Sequence, residues 1–449
     1  MIKRAIELSQ NDGEFQLNAN WWSGSLTVTE NGSGWKIGIT RGKFGAPAEA
    51  SATGLAGSGG DVQMNADSLT WENLLTAVPP SGYTDFVGAS ALGGMQTSPE
   101  PFNGERHLAM RRFIDLMRAA KNGTTGAPQP GGYKQPHGTF DKAVGRYIHL
   151  NINGVSQRVY FEEAGQGIGL ICQHTAGADG RQFRHFLEDE RITSKYRVIV
   201  YDMPFHGKSL PPVDKAWWTE RYTLTPENAM GLPVELSRAL GLDRPVFIGS
   251  SVGGMLALDL ARYHADDFRA VISLEGGLHA DIPEGSLEPT GDEDPAKHAA
   301  TMLMIMSPTA PESSRQETRL HYAQGAPGVF PGDIDYYAFT HDLRGQGHLI
   351  DTKKCAVHLL TGEYDFPTIP WTELAAKEIP GATMEIMKGL GHFPMSEDHV
   401  GLMKYVQPIL NQIAKSNDIT CKAMNFDRNC CGSNGSIEWN WRSYCASIR

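Results

Sequence analysis

The stretch PVFIGSSVGGMLALDLARYH (245–264) decides the fold. It opens on a short apolar run and closes on MLALDLARYH (255–264), whose spacing is helical. Between the two, Gly249-Ser250-Ser251-Val252-Gly253 fills the pattern G-x-S-x-G. Alone that pattern is weak in a glycine-rich chain. Between a strand and a helix it predicts a sharp turn that lifts the Ser251 hydroxyl above a sheet.

Working outward, residues 140–415 alternate strand-like runs with helical patterns. The strands are RYIHLNI (146–152), RVYFEEA (158–164), IGLICQHT (168–175), YRVIVYDMP (196–204), PVFIGS (245–250), AVISLEG (270–276), AVHLLTGEYD (356–365) and ATMEIMKG (382–389). The later runs are rich in Val, Ile and Leu without clean alternation, as strands buried on both faces are. Helices are predicted near 225–241, 252–264, 371–378 and 397–414. This order predicts an α/β architecture, a mostly parallel sheet with helices on both faces. The stretch 278–350 is too long for a turn and reads as an inserted lid.

Two further strand ends carry chemistry. LLTGEYD (359–365) ends in Asp365, and KGLGHF (388–393) carries His392 past the next strand. A serine hydroxyl is a poor nucleophile until a base takes its proton, and the base needs a carboxylate to fix its tautomer. Ser251, Asp365 and His392 fill those roles in chain order, with Glu363 and Glu275 as rival acids. QHTAGADG (173–180) follows a strand and supplies an oxyanion loop. One donor is the N–H of Val252. Ala176 is assigned the second, with Thr175 and Gly177 as alternatives. His174 is read chiefly as ordering that loop, and it also stands among the substrate-binding candidates with Trp217, Met304 and Tyr337. Trp218, Phe330, Tyr336 and His341 are further wall candidates. Asp202 and His206, in YDMPFHGKS (201–209), are read as structural. Alternating methionines in AATMLMIMSP (299–308) suit an adaptable apolar pocket or plain lid packing.

At this point the chain resembles the α/β-hydrolase superfamily over about 145–415, in its soluble serine-triad subgroup. The motifs are HTAGADGRQFRHFL (174–187), YDMPFHGKSLPP (201–212), GSSVGG (249–254), YAQGAPGVFPGD (322–333), LLTGEYD and GLGHFPMSE (389–397). The resemblance implies a cofactor-free hydrolase of an ester, thioester or amide with a small apolar or aromatic group. The elbow is equally similar to that of carbon–carbon bond hydrolases acting on diketone-type ring-fission products. Some proteins of this fold are non-catalytic ligand-binding receptors. Serine at the nucleophile position excludes the aspartate-dependent dehalogenases and epoxide hydrolases.

Residues 1–128 read as a small α+β domain. SLTVTE (25–30) and WKIGIT (35–40) are strands joined through NGSG (31–34), with a loop over 45–60. DVQMNADSLTWENLL (61–75) is a strand entering a helix capped by Ser68, and HLAMRRFIDLMRAA (107–120) is an amphipathic helix. With WENLLTAVPPSGYTDFVGA (71–89), this unit resembles the sterol-carrier-protein-like fold. That resemblance implies either a bound apolar ligand passed to the hydrolase, or a unit that covers or dimerises it. A Gly/Pro-rich stretch (121–139) separates the units, and the linker is set at 129–144.

The chain has 449 residues with 40 basic and 51 acidic side chains, a net charge of −11. That charge offers no footprint for nucleic acid or an anionic membrane. No signal peptide or membrane span is read, so a cytoplasmic location is expected. G-Q-G-I-G (165–169) precedes a strand, so it is a turn and not a dinucleotide fingerprint. No metal-ligand spacing is found, and no cofactor is implied. Four of the six cysteines, Cys421, Cys430, Cys431 and Cys445, lie in 416–449. This tail is expected to be a disordered segment with reduced thiols, or a stretch that does not belong to the domain's evolutionary unit.

Overall fold

The computed structural model describes residues 1–51, 60–99, 106–129, 131, 135–282 and 294–430, with side chains to 416. The N-terminal unit is built on five strands: β1 (Gly24–Glu30), β2 (Ser33–Thr40), β3 (Lys43–Ser51), β4 (Asp61–Ala66) and β5 (Met95–Ser98). Their order is β3-β2-β1-β4-β5, with β1 and β4 parallel and the other pairs antiparallel. Glu30 pairs with Ser33, so the hairpin turns on Asn31-Gly32 alone. Three helices, Ile2–Ser9, Gly13–Ala19 and His107–Lys121, pack together. Phe15, Trp22, Phe44, Trp71 and Phe113 fill the core of this unit.

Three expectations for this unit need correction. Much of the loop read over 45–60 is strand β3, of which only Phe44 is buried; 52–59 lie outside the described residues. An exposed edge strand needs no apolar alternation, so the pattern gave no signal. The helix Ser68–Leu74 is capped by Asp67, whose carboxylate accepts from Thr70 N–H at 2.7 Å, not by Ser68. The helices Ile2–Ser9, Gly13–Ala19 and Phe86–Ala91 were not foreseen.

The second unit holds all eight predicted strands: β6 (Val144–Ile152), β7 (Val155–Ala164), β8 (Ile168–Gln173), β9 (Tyr196–Tyr201), β10 (Val246–Ser250), β11 (Ala270–Leu274), β12 (Ala356–Gly362) and β13 (Thr383–Met387). Their order is β13-β12-β11-β10-β8-β9-β7-β6, parallel from β13 to β9, with β7 and β6 antiparallel at one edge. Successive side chains enter opposite cores. Phe247 joins one with Ile171 and Val271; Val246 and Ile248 join the other with Leu170 and Ile272. The sheet is therefore apolar on both faces, which explains the unbroken runs. This is the α/β-hydrolase fold preceded by a small domain with its own sheet.

Between β11 and β12 the insertion forms helices Pro295–Met302, Glu312–Ala323 and Val329–Ile334, then a π-helical turn, Asp335–Thr340. The last helix, His399–Cys430, runs on past residue 415. The tail cysteines fall outside the described side chains, and the expectation about them with it. Cys172 and Cys355 are free and buried. Among the described residues, no helix is long and apolar enough to cross a membrane.

Candidate active site

Ser251 stands between β10 and the helix Val252–Tyr263 with φ 57° and ψ −112°. A non-glycine residue in that region costs on the order of 1–3 kcal/mol and persists only where its surroundings hold it. Here they do. Ser251 N–H donates to Leu274 O at 2.9 Å, and Met255 N–H donates to Ser251 O at 2.9 Å. The glycines permit the turn by contact: a Cβ on Gly249 would lie 2.4 Å from Gly253 O, and one on Gly254 2.2 Å from Leu274 O.

His392 Nδ1 lies 2.8 Å from Asp365 Oδ2, both residues buried at the ends of neighbouring strands. Glu275 completes the cluster. Single ligand atoms of Glu275, Asp365 and His392 all lie within 4.8 Å of one another. Glu275 has φ 54° and no exposure, and both its oxygens accept from Gly362 N–H at 3.0 Å. Burial first, then the adjacent Asp365, drives its carboxyl well above the usual carboxylate range. A protonated Glu275 hydrogen-bonds Asp365 and is a poor partner for a cation. The other rival acid, Glu363, is taken by Gly389 N–H at 2.9 Å and Lys388 Nζ at 3.0 Å.

The loop after β8 distributes its donors. Thr175 N–H goes to Gln182 Oε1 at 2.9 Å, and Gly177 N–H to Asp333 Oδ2 at 2.8 Å. Of the three candidates, only Ala176 N–H has no acceptor among the described residues. His174 faces backbone with both ring nitrogens. Its Nδ1 bonds Thr175 O at 2.8 Å and its Nε2 accepts from Met203 N–H at 3.1 Å, so both nitrogens are spent on backbone. Burial, with His206 beside it, pulls its pKa down to about 4 and keeps the ring neutral. Asp202 accepts from Gly180 N–H at 2.8 Å and Lys208 N–H at 2.7 Å, the structural role expected of it.

The insertion places Tyr337 beside Trp371, the rings meeting edge-on at 6.2 Å. The π-helical turn carrying Tyr337 is anchored to the elbow helix. Tyr336 Oη donates to Asp259 Oδ2 at 2.5 Å and His341 Nδ1 lies 3.0 Å from the same oxygen. Tyr336 and His341 are thus braces for the turn that carries Tyr337. Phe330 lies against Gly177, where a Cβ would meet its side chain at 2.8 Å.

Two candidates sit elsewhere. Met304 is partly buried and packs against the cores of both units, at their seam. Trp217 borders a cavity of about 150 Å³ with Met203, Phe205, Tyr222, Leu224 and Leu232, which does not include Ser251 or His392. Sequence reasoning missed Asp259, Asp333 and Glu397. Each is a buried acid bonded across a long sequence distance, and no local pattern marks such a residue.

The comparisons agree with this architecture. The chain is similar to a 2-hydroxy-6-oxo-6-phenylhexa-2,4-dienoate hydrolase of Burkholderia cepacia, 27% identical over 146 residues, 32% of this chain. The match spans about half the length of that relative, 49%. A thermophilic esterase from Thermogutta terrifontis superposes with TM-score 0.52 at 20% identity, covering 60% of this chain and 99% of its own. The enol-lactonase of Burkholderia xenovorans LB400 gives 0.51 at 20% identity, covering 59% and 100%. At that identity these structures share the fold. The model of the Alpha/beta hydrolase family matches residues 170–403, just over half the chain, and the protein belongs to that family.

Proposed function

We propose that the chain is a serine hydrolase that cleaves an ester, thioester or amide of a small apolar or aromatic substrate through an acyl-enzyme. The observation that carries this reading is the strained elbow at Ser251 together with the buried His392–Asp365 pair, joined where Ser250 Oγ donates to His392 O at 3.3 Å. Ser251 Oγ attacks the carbonyl while His392 Nε2 takes its proton. Asp365 holds the other ring proton and stabilises the imidazolium. Val252 and Ala176 N–H groups receive the oxyanion. His392 returns its proton to the leaving group, then activates water to free the acid. Glu275, neutral, donates to Asp365 and fixes its rotamer. Tyr337 and Trp371 give the acyl or leaving group an aromatic wall.

A second reading is hydrolysis of a carbon–carbon bond in a diketone-type ring-fission product. It is favoured by the relative named for a 6-oxo-6-phenylhexadienoate. Turnover of p-nitrophenyl esters of graded chain length against such a dienone separates the two. Dominant turnover of the dienone would overturn the ester reading. If Asp365→Asn leaves turnover within tenfold of wild type, Asp365 is not the acid and Glu275 takes its place.

A further inference from the structure

The N-terminal unit meets the catalytic domain at Glu14, which accepts from Gln316 Nε2 at 3.3 Å, and through residues 79–84, whose contacts fall on Met304 and Tyr364, beside the two halves of the His392–Asp365 pair. Thr84 is buried, and its hydroxyl donates to Met304 O at 2.6 Å. One residue on, Ile305 O accepts the backbone N–H of His392 at 2.9 Å. Ser307 N–H donates to Glu397 Oε2 at 3.2 Å, and the other oxygen of Glu397 accepts from Gly391 N–H. The stretch 304–307 therefore bonds the N-terminal unit on one side and the His392 loop on the other. The approach is tight: a Cβ on Gly391 would lie 2.5 Å from Ile305 O and 2.6 Å from Ser307 N.

The same short segment reaches the acid. Tyr364, the residue before Asp365, donates its hydroxyl to Pro79 O at 3.2 Å. A Cβ on Gly82 would lie 3.7 Å from the ring of Phe366, the residue after it. Thr84 is itself held from behind, because Arg118 Nη2 donates to Thr84 O at 3.0 Å and Arg118 Nε to Leu74 O at 2.9 Å.

We propose that the N-terminal unit is an intrachain clamp that fixes the separation of Asp365 and His392, with Thr84 as a positioning residue acting through Met304 and Ile305. The proposal rests on the assignment of His392 as base and Asp365 as its partner. It follows from how steeply catalysis depends on placement, since a shift of about 1 Å costs ~10²-fold.

The test uses the full-length protein and three variants, Thr84→Val, Thr84→Ser and Tyr364→Phe. Two quantities are read: kcat and KM on the best p-nitrophenyl ester, and the rate of fluorophosphonate labelling at Ser251. Thr84→Val is expected to lower kcat and the labelling rate together by about tenfold or more, with KM within about twofold and the melting temperature near wild type. Thr84→Ser keeps the donor and should restore both rates to within about threefold. Should Thr84→Val fail to fold, Tyr364→Phe decides, with a fall of about threefold or more in both rates expected. A folded Thr84→Val with unchanged kcat and labelling, or with its loss confined to KM, overturns the clamp. So does Tyr364→Phe at wild-type rates where Thr84→Val is unfolded. A folded wild type that takes no label overturns the serine-hydrolase reading itself, and the clamp with it.

Discussion

Asp333 Oδ2 lies 2.8 Å from His206 Nε2, and the other nitrogen of that ring faces Pro204 O at 2.9 Å. Both nitrogens point at acceptors, an arrangement that favours the doubly protonated ring. Burial works to discharge it, but the Asp333 carboxylate overrides burial and raises the pKa. Asp333 also takes Gly177 N–H and, at 2.8 Å, the Tyr222 hydroxyl. One insertion carboxylate thus fixes the loop beside Ala176.

His206→Leu leaves Asp333 buried and uncompensated. The expected cost is about 3–5 kcal/mol by urea unfolding. Lys354→Ala, which breaks the exposed pair with Asp266, should cost no more than about 1 kcal/mol. Equal effects would show that the buried pair contributes nothing special.

Glu397 sets a pH dependence. Its burial, opposed by Gly391 and Ser307 N–H groups, pushes its carboxyl up to about 8. The unfolded chain releases that proton near 4.5. Below about 4.5 both states hold it. As pH rises toward 8 the unfolded state alone ionises, so folding is progressively disfavoured; above 8 the effect is constant. Glu397→Gln should flatten the melting temperature against pH across that window. A slope unchanged by the substitution would contradict the assignment.

Glu275 distinguishes a neutral donor from a second charge. Glu275→Gln keeps a donor toward Asp365 and should hold kcat within about threefold, whereas Glu275→Ala orphans Gly362 N–H and should lower kcat about tenfold or more. The alkaline limb of the wild-type kcat profile, where Glu275 ionises against Asp365, should be missing in Glu275→Gln. A profile identical in both would remove Glu275 from the proton-sharing set.

Tyr337→Phe keeps the ring that meets Trp371 and deletes the hydroxyl. A loss of about tenfold in kcat/KM is expected, the value of one buried hydrogen bond. Steady-state kinetics on the same ester checks it, and wild-type kcat/KM would place the substrate away from this hydroxyl.

The legibility of this chain follows from where information is local. All eight strands of the large sheet could be read, because strands buried on both faces must be apolar throughout. The elbow could be read because only a small set of residues tolerates the contacts around Gly249 and Gly254. Strand β3 was missed because an exposed edge imposes no pattern. Asp67 rather than Ser68 caps its helix, a choice between adjacent residues of similar propensity. Ala176 is set apart from its alternatives Thr175 and Gly177 in space, where Gln182 and Asp333 occupy the other two donors. Met304 lies in an apolar alternation that fits a pocket wall and a domain seam equally well; contact with the N-terminal core places it at the seam. The braces Asp259 and Asp333 reach partners far along the chain, where spacing rules have no purchase.

Activation of Ser251 by His392 is measured by fluorophosphonate labelling of folded wild type, Ser251→Ala and His392→Ala, with the modified peptide identified by mass spectrometry. One adduct is expected, on Ser251, absent in Ser251→Ala and formed ~10³-fold or more slowly in His392→Ala. A folded wild type that takes no label, or an adduct that survives Ser251→Ala, would contradict that activation.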